Sequence, residues 1–307
     1  MENFKRILLF IYDFIIAALL FFPMYLQWAF CKIFLSRKKC IKGKLALISG
    51  GGNGLGKAIC LKLATVGCNI AVIDIDKDAA DQTAKEVTQI GALAKAYKVD
   101  VSNAEEIVKL RDELTSTLGA VDILINNAGI VSVTSLEEDP KKIERLVNVN
   151  LIGPLLMTKY FLEQMMIRKT GHIVSISSMA GLHPSPQIIQ YTATKFGVSG
   201  YMAALTEFLR LQKLGDKIKT TCVFPFFIKT NETVTNFLNP NIRFKPLEVN
   251  FVASKIVDAI QKEVRILSIP WYFEFVTKYV NLMPLKMQQK LFRDRILREH
   301  EFAKSEN

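Results

Sequence analysis

Histidine is scarce in this chain, at three among 307 residues, and His172, His183 and His300 form no ligand-like set. Cysteine says equally little. Cys31, Cys40, Cys60, Cys68 and Cys222 are odd in number, and no pair has a metal or redox spacing. That pattern fits a reducing compartment, and no metal is implied. The sequence has no internal linker, repeat or low-complexity tract. It carries no nucleic-acid-binding module, so its net charge of +11 and pI of about 9.3 call for another acidic partner, and nucleic acid is not expected. No small-x-small cleavage site follows the apolar N-terminus, which argues against a cleaved signal peptide.

What is present is an alternation of helical and strand patterns. Length alone suggests about two domains, yet α/β chains of ~250 residues often form one. The alternation predicts a parallel sheet covered on both faces. Lys44–Ser49 reads as a short buried strand that runs into Gly50-Gly51-Gly52-Asn53-Gly54-Leu55-Gly56, with a helix expected from about Lys57 to Thr65. Glycines let a backbone turn sharply against a pyrophosphate, and a helix N-terminus offers free N–H groups and a positive dipole. A glycine run alone is weak support. Here a second strand, Asn69–Asp74, follows the helix, and Asp74 ends it eighteen residues after Gly56. That is where a carboxylate would hold ribose hydroxyls, and an acid there repels a 2′-phosphate, favouring NAD(H) over NADP(H). The other reading of Asp74 is a helix N-cap, since a helix begins around Asp76 and Lys77.

Tyr191 and Lys195 lie four residues apart, with Ser178 thirteen positions upstream of the tyrosine. A phenol of pKa ~10 is a poor base at neutral pH. A lysine at i+4 faces it on a helix, and its charge is expected to stabilise phenolate and lower the tyrosine pKa. A serine hydroxyl would hold the substrate oxygen while the tyrosine exchanges the proton.

Together these motifs resemble the short-chain dehydrogenase/reductase family over roughly residues 42 to 265. The resemblance implies a doubly wound Rossmann fold with seven parallel strands. Within it, Ser49, Gly50, Asn53, Gly54, Leu55 and Gly56 line the cofactor turn, and Asp100 and Val101 lie beside the adenine after a third strand, Ala94–Val99. Asn126-Asn127-Ala128-Gly129 follows a fourth strand from Val121 to Ile125, and Asn127, Ala128 and Gly129 support the cofactor. Asn150, in a long helix, matches a fourth catalytic residue that holds a water leading to the lysine. Ser175 and Ser177 compete with Ser178, and the spacing to Tyr191 selects Ser178. Tyr191 is the acid/base, and Lys195 also binds the nicotinamide ribose. In Pro225-Phe226-Phe227-Ile228-Lys229-Thr230, Phe226 stands where the wider family has glycine, while Phe227, Ile228 and Thr230 keep the cofactor-side positions. The Pro-Phe-Phe form is similar to the membrane-bound branch of epidermal retinol dehydrogenases and lipid-droplet 17β-hydroxysteroid dehydrogenases. The family often dimerises through its fourth and fifth helices, here about 139–168 and 191–213, so a homodimer is an expectation by analogy.

Ile7–Leu35 is almost continuously apolar, interrupted mainly by Asp13, Gln27 and Lys32. It is long enough to span a bilayer as a helix, or to enter one leaflet as a hairpin at Pro23. Arg37, Lys38, Lys39, Lys42 and Lys44 follow, which points to the cytosolic side and to anionic headgroups. The expected organisation is an anchor over 1–36, a basic linker over 37–44, a catalytic domain over 45–270 and a C-terminal amphipathic, basic extension over 271–307. In that extension, the aromatic stretch Ile269–Val276 either dips into the interface or packs on the fold. His172 is expected to be structural, and His183 either lines the substrate mouth or is a plain loop residue.

The reading is a membrane-anchored, NAD-dependent dehydrogenase of a lipophilic alcohol (a retinoid, a steroid or a fatty alcohol, the resemblance favouring the first two) at the endoplasmic reticulum or a lipid droplet and facing the cytosol. The expected substrate mouth contains Ile188, Ile189, Phe237, Leu238, Ile242, Phe244 and Leu247. Two rivals stand beside it: an NAD-binding membrane scaffold with little turnover, and an NADPH-linked lipid carbonyl reductase.

Overall fold

The computed structural model describes residues 38–131, 139–185, 188–230, 245–288 and 290. Residues 1–39 and 40–307 form two compact units, and the architecture below is that of the second. The apolar run Ile7–Leu35, and Phe237, Leu238, Ile242 and Phe244 of the expected substrate mouth, lie outside the described residues. Among the described residues, no helix is long and apolar enough to cross a membrane.

Seven parallel strands form one sheet in the order β3-β2-β1-β4-β5-β6-β7. They are β1 (Leu45–Ser49), β2 (Asn69–Asp74), β3 (Ala94–Lys98), β4 (Ile123–Asn126), β5 (Gly171–Ile176), β6 (Ile218–Pro225) and β7 (Ile266–Ile269). Period-2 alternation sorts their side chains into two cores. Leu45 and Leu47 point to one face, with Ile107 and Leu110 of α3 (Ala104–Thr117), Phe161 of α5 (Gly153–Arg168) and Met202 of α6 (Ile189–Leu211). Ala46 and Ile48 point to the other, with Ile59 and Leu63 of α1 (Gly54–Thr65), Ala84 of α2 (Lys77–Gln89) and Ile256 of α7 (Val249–Gln261). A strand buried on both faces calls for apolar residues along its length, and β1 and β4 are buried throughout, with polar Ser49 and Asn126 only at their carboxyl ends. Each fully buried Leu or Ile contributes about 1.5–3 kcal/mol relative to exposure.

The chain leaves β1 towards β2 on one side and returns to β4 on the other, with Ile48 beside Val72 and Ile125. This reversal opens a crevice past the carboxyl ends of β1 and β4, where open α/β sheets bind ligands. Two helix expectations need correction. α1 begins at Gly54 and not near Lys57, so the last fingerprint glycine lies inside its first turn. Asn150 does not sit in an uninterrupted helix: a π-helical turn, Asn148–Ile152, separates α4 (Pro140–Val147) from α5. Such wide turns are frequent at functional sites. Two further helices close the described chain, α8 (Tyr272–Asn281) and the single turn α9 (Leu285–Gln288).

Candidate active site

The glycine turn is built by backbone approach. Gly50 has φ +63°, a left-handed conformation that favours glycine, and a Cβ there would lie 2.9 Å from Ala128 Cα. A Cβ on Gly56 would run into the Gly50 carbonyl oxygen and would lie 2.6 Å from Asn127 Nδ2. Ser49 Oγ joins the turn to β4, donating to the Ile125 carbonyl at 3.3 Å and accepting from the N–H groups of Asn127 at 3.0 Å and Ala128 at 3.1 Å. Asn127 Nδ2 donates to the carbonyls of Ser49 (2.9 Å) and Gly50 (3.1 Å). Leu55 is buried against the core, while Asn53 caps α1 with its side chain making no hydrogen bond to the helix. Thr230 reaches the same turn, its Cγ2 lying 3.6 Å from where a Gly54 Cβ would be.

Asp74 is half-buried at the end of β2. Its Oδ2 accepts from Gly52 N at 2.9 Å and its Oδ1 from Asp76 N at 3.1 Å. It does not cap α2, because Asp76 does so by accepting from Ala79 N at 3.1 Å. A carboxylate has about four lone-pair sites, so two remain for a ribose diol. The cradle therefore fits a dinucleotide: bare backbone at the helix start and an acid at the end of β2. Asp100 turns onto its own loop, with Oδ1 accepting from Ser102 N (2.8 Å) and Ser102 Oγ (2.7 Å). Val101 is buried beside Gly153.

Beyond β5 the catalytic candidates meet. Tyr191 opens α6, and the Ser178 hydroxyl, which accepts from Ala180 N at 3.2 Å, lies near enough to its phenol to pull the phenol pKa down. Ser175 and Ser177 are spent elsewhere: Ser175 Oγ accepts from Asn126 Nδ2 at 3.3 Å, and Ser177 Oγ donates to the Lys195 carbonyl at 3.0 Å. Asn150 is fully buried, with Oδ1 accepting from Ile130 N and Nδ2 donating to Ile130 O, both at 2.8 Å. A Cβ on Gly129 would lie 3.4 Å from Asn150 Oδ1 and 3.6 Å from Lys195 Nζ, so these three residues share one corner. Sequence reasoning missed Thr194, which lies 3.4 Å from Asn150 Nδ2 and donates to the Tyr191 carbonyl at 2.7 Å. No motif marks it. The Ile176 carbonyl, which accepts from Lys195 Nζ at 3.0 Å, was equally invisible because any residue supplies a carbonyl.

The electrostatics differ from expectation. Burial pushes the Tyr191 phenol up to about 12, and the nearby Ser178 hydroxyl only partly opposes this. The Lys195 ammonium, itself depressed to about 8 by burial, donates to the Ile176 carbonyl at 3.0 Å and lies 5.4 Å from the Tyr191 ring centre. This depression has a sign. The unfolded chain holds that proton up to about pH 10.5, the folded one only to about 8. Burial of the charge thus costs stability below pH 8, and the cost fades as pH rises through 8 towards 10.5. At ~1.4 kcal/mol per tenfold change in proton affinity, the cost is roughly 3 kcal/mol. Lys195→Met is therefore expected to unfold at higher denaturant than the parent at pH 7, with the gap closing by pH 10. Equal midpoints at pH 7 would mean that the lysine carries no such cost.

Phe226 is buried, stacked on Phe273 of α8 at 5.2 Å and edge-on to Phe227 at 4.7 Å. A glycine there would leave α8 without this contact. Leu247 N donates to Phe227 O at 2.7 Å, and Lys229 N to Leu247 O at 3.0 Å, which fixes Phe227 and Ile228 above β6. His172 bonds Thr221 Oγ1 at 2.8 Å at the far end of β5, a structural position, and His183 is buried in the turn after Ser178.

Known proteins resemble this chain along most of its length. The short chain dehydrogenase family model matches residues 44–240. The human protein 17-beta-hydroxysteroid dehydrogenase 13 is 34% identical over 251 residues, covering 81% of this chain and 82% of its own. Mouse epidermal retinol dehydrogenase 2 is 34% identical over 252 residues, covering 81% of each. A short chain dehydrogenase/reductase of Burkholderia phymatum, solved in complex with NAD, superposes with a TM-score of 0.72 at 24% identity, covering 79% of this chain and 94% of its own, and shows the shared fold. With the family model spanning most of the catalytic core and relatives of this similarity along most of the chain, the protein belongs to the short-chain dehydrogenase family, an oxidoreductase of CH–OH groups working with a nicotinamide dinucleotide.

Proposed function

We propose that this chain is a membrane-anchored, NAD-preferring dehydrogenase of a lipophilic secondary or primary alcohol, a hydroxysteroid or a retinoid. The observation that carries the reading is the corner where Lys195, Asn150 and Gly129 meet, with the Tyr191 ring centre 5.4 Å from Lys195 Nζ and Ser178 beside the phenol. The dinucleotide supplies hydride acceptance and donation when bound. The chain does the rest. Gly50, Gly54 and Gly56 give the pyrophosphate close backbone, with Ser49, Asn53, Leu55 and Asn127–Gly129 framing it. Asp74 takes the adenosine ribose, and Asp100 and Val101 lie on the adenine side. Phe227, Ile228 and Thr230 close the nicotinamide side. Ser178 orients the substrate oxygen, and Tyr191 exchanges its proton. Lys195 holds the nicotinamide ribose, and Asn150 passes protons towards solvent by way of the lysine.

The names of the relatives, a hydroxysteroid and a retinol dehydrogenase, support a substrate that dissolves in membranes. The run Ile7–Leu35 with its basic flank supports an anchor over 1–36, a linker over 37–44, the catalytic domain over 45–270 and an extension over 271–307, at an endoplasmic reticulum or lipid-droplet surface facing the cytosol.

Membranes carrying the protein are expected to form NADH from retinol or a 17β-hydroxysteroid. Absence of turnover with both, and with the matching carbonyls and NADH, would move the weight to a scaffold. Cofactor choice has its own test. Asp74→Ala should lower kcat/KM for NAD relative to NADP by about 10–100-fold, the worth of one or two charge-assisted hydrogen bonds. Because Asp74 also accepts from Gly52 N, both cofactors weaken, and only the ratio isolates the ribose contact. An unchanged ratio would favour an NADPH-linked reductase.

A further inference from the structure

A helix that only packs on a fold needs one apolar stripe. α8 has two. Phe273, Thr277 and Val280 are buried, and Phe273 stacks on Phe226 at 5.2 Å. On the opposite side, Trp271 is 72% exposed, Phe275 43% and Tyr279 66%, and Leu282 beyond the helix end is 85% exposed. At 100° per residue, positions 271, 275, 279 and 282 fall within one arc of about 80°, so they form a continuous stripe. Its rings touch: Trp271 and Phe275 lie 6.1 Å apart, edge to face. A single exposed apolar residue means little, but a rowed set of large ones marks a covered surface.

The composition of the stripe selects the cover. From Phe275 to Lys290 the only charged side chains are Lys278, Lys286 and Lys290, and Lys278 is partly offset by Glu274 at 2.6 Å. Trp and Tyr beside lysines, with an exposed leucine one turn on, is the arrangement of a helix lying in a headgroup layer. A protein partner with an acidic rim is the weaker fit, because indole and phenol ends gain most where one side is wet and the other apolar.

We propose that α8 is a second membrane contact, seating the catalytic domain on a lipid surface with acidic headgroups through Trp271, Phe275, Tyr279 and Leu282. This rests on the reading that the chain is membrane-anchored. The same helix grips Phe226, next to the cofactor-side loop 227–230, so the lipid contact and the site share one structural element.

The chain has two tryptophans, Trp28 and Trp271, so Trp28→Phe leaves Trp271 as the sole indole. The full-length variant is reconstituted into vesicles of phosphatidylcholine and phosphatidylserine with brominated acyl chains, floated on a gradient, and its emission recorded. The expected result is a blue-shifted Trp271 whose emission falls by about half against unbrominated vesicles, as insertion by ~5–10 Å requires. Quenching should weaken when phosphatidylserine is omitted or salt is raised, and when Phe275 and Tyr279 are both changed to serine. Floating protein with unquenched emission overturns the docking while leaving the anchor standing, whether the emission is water-like or blue-shifted under a protein cover. Protein that does not float overturns both readings.

Discussion

Tyr191→Phe is expected to lower turnover of the alcohol by ~10²–10⁴-fold, the usual worth of a positioned acid/base. That is about 3–5 kcal/mol of transition-state stabilisation at 1.36 kcal/mol per decade. The ring stays and only the hydroxyl beside Ser178 goes, so the fold is little disturbed. Vesicle flotation and NADH binding should survive, which separates an enzyme from a scaffold. The pH response adds a second signature. With the phenol pushed up to about 12, Tyr191 is protonated at neutral pH and ready to donate to a carbonyl oxygen. Alcohol oxidation needs the phenolate, so its rate in the parent should rise as pH is raised from 6 towards 9, and the residual rate of the phenylalanine variant should lack that rise. Steady-state rates in both directions across this range provide the check. A variant keeping more than about a tenth of parental turnover would remove Tyr191 from the proton path, since that is below what a general acid contributes.

The sheet was readable because its signal is local. Strand β2 falls on Asn69–Asp74 as its apolar run indicates, and β1 differs from expectation by one residue. The spacings of Ser178, Tyr191, Lys195 and Asn150 are local features of the sequence, and the fold brings these proposed site residues near one another past the end of β5. What escaped the sequence depends on contacts. The π turn at Asn150 arises where α4 and α5 meet, with Asn150 clamped by both backbone groups of Ile130, twenty residues away. The direction of the Tyr191 and Lys195 shifts follows from burial, which spacing does not report. Phe226 looked like a lost glycine and is a stacking partner of Phe273, forty-seven residues on. The aromatic pattern of the C-terminal stretch does not separate packing from exposure, and α8 buries one stripe and exposes the other.

Gly56→Ala carries the largest structural effect expected of a single methyl group here. The obstacle is backbone, the Gly50 carbonyl, with Asn127 Nδ2 at 2.6 Å on the other side, so no rotamer change relieves it. Overpacking of a core ordinarily costs 1–3 kcal/mol, and a rigid neighbour places this variant at or above the top of that range. For a domain of this size, ~3 kcal/mol lowers Tm by roughly 6–12 °C. Relief comes by pushing α1 away from the turn or by displacing Gly50 and Asn127, and the second breaks the Asn127 bonds to the Ser49 and Gly50 carbonyls that join the turn to β4. Dinucleotide affinity should therefore fall further than stability does. Gly200 is the control. It lies inside α6 with open space where its Cβ would be, so Gly200→Ala should stabilise the fold by ~0.5–1 kcal/mol through the unfolded chain's lost freedom. Thermal melts and NADH fluorescence titrations on the two variants decide the matter. Parental Tm and affinity in the Gly56 variant would mean that α1 is free to move off the turn, and the glycine would then not be what holds the helix N-terminus against the dinucleotide.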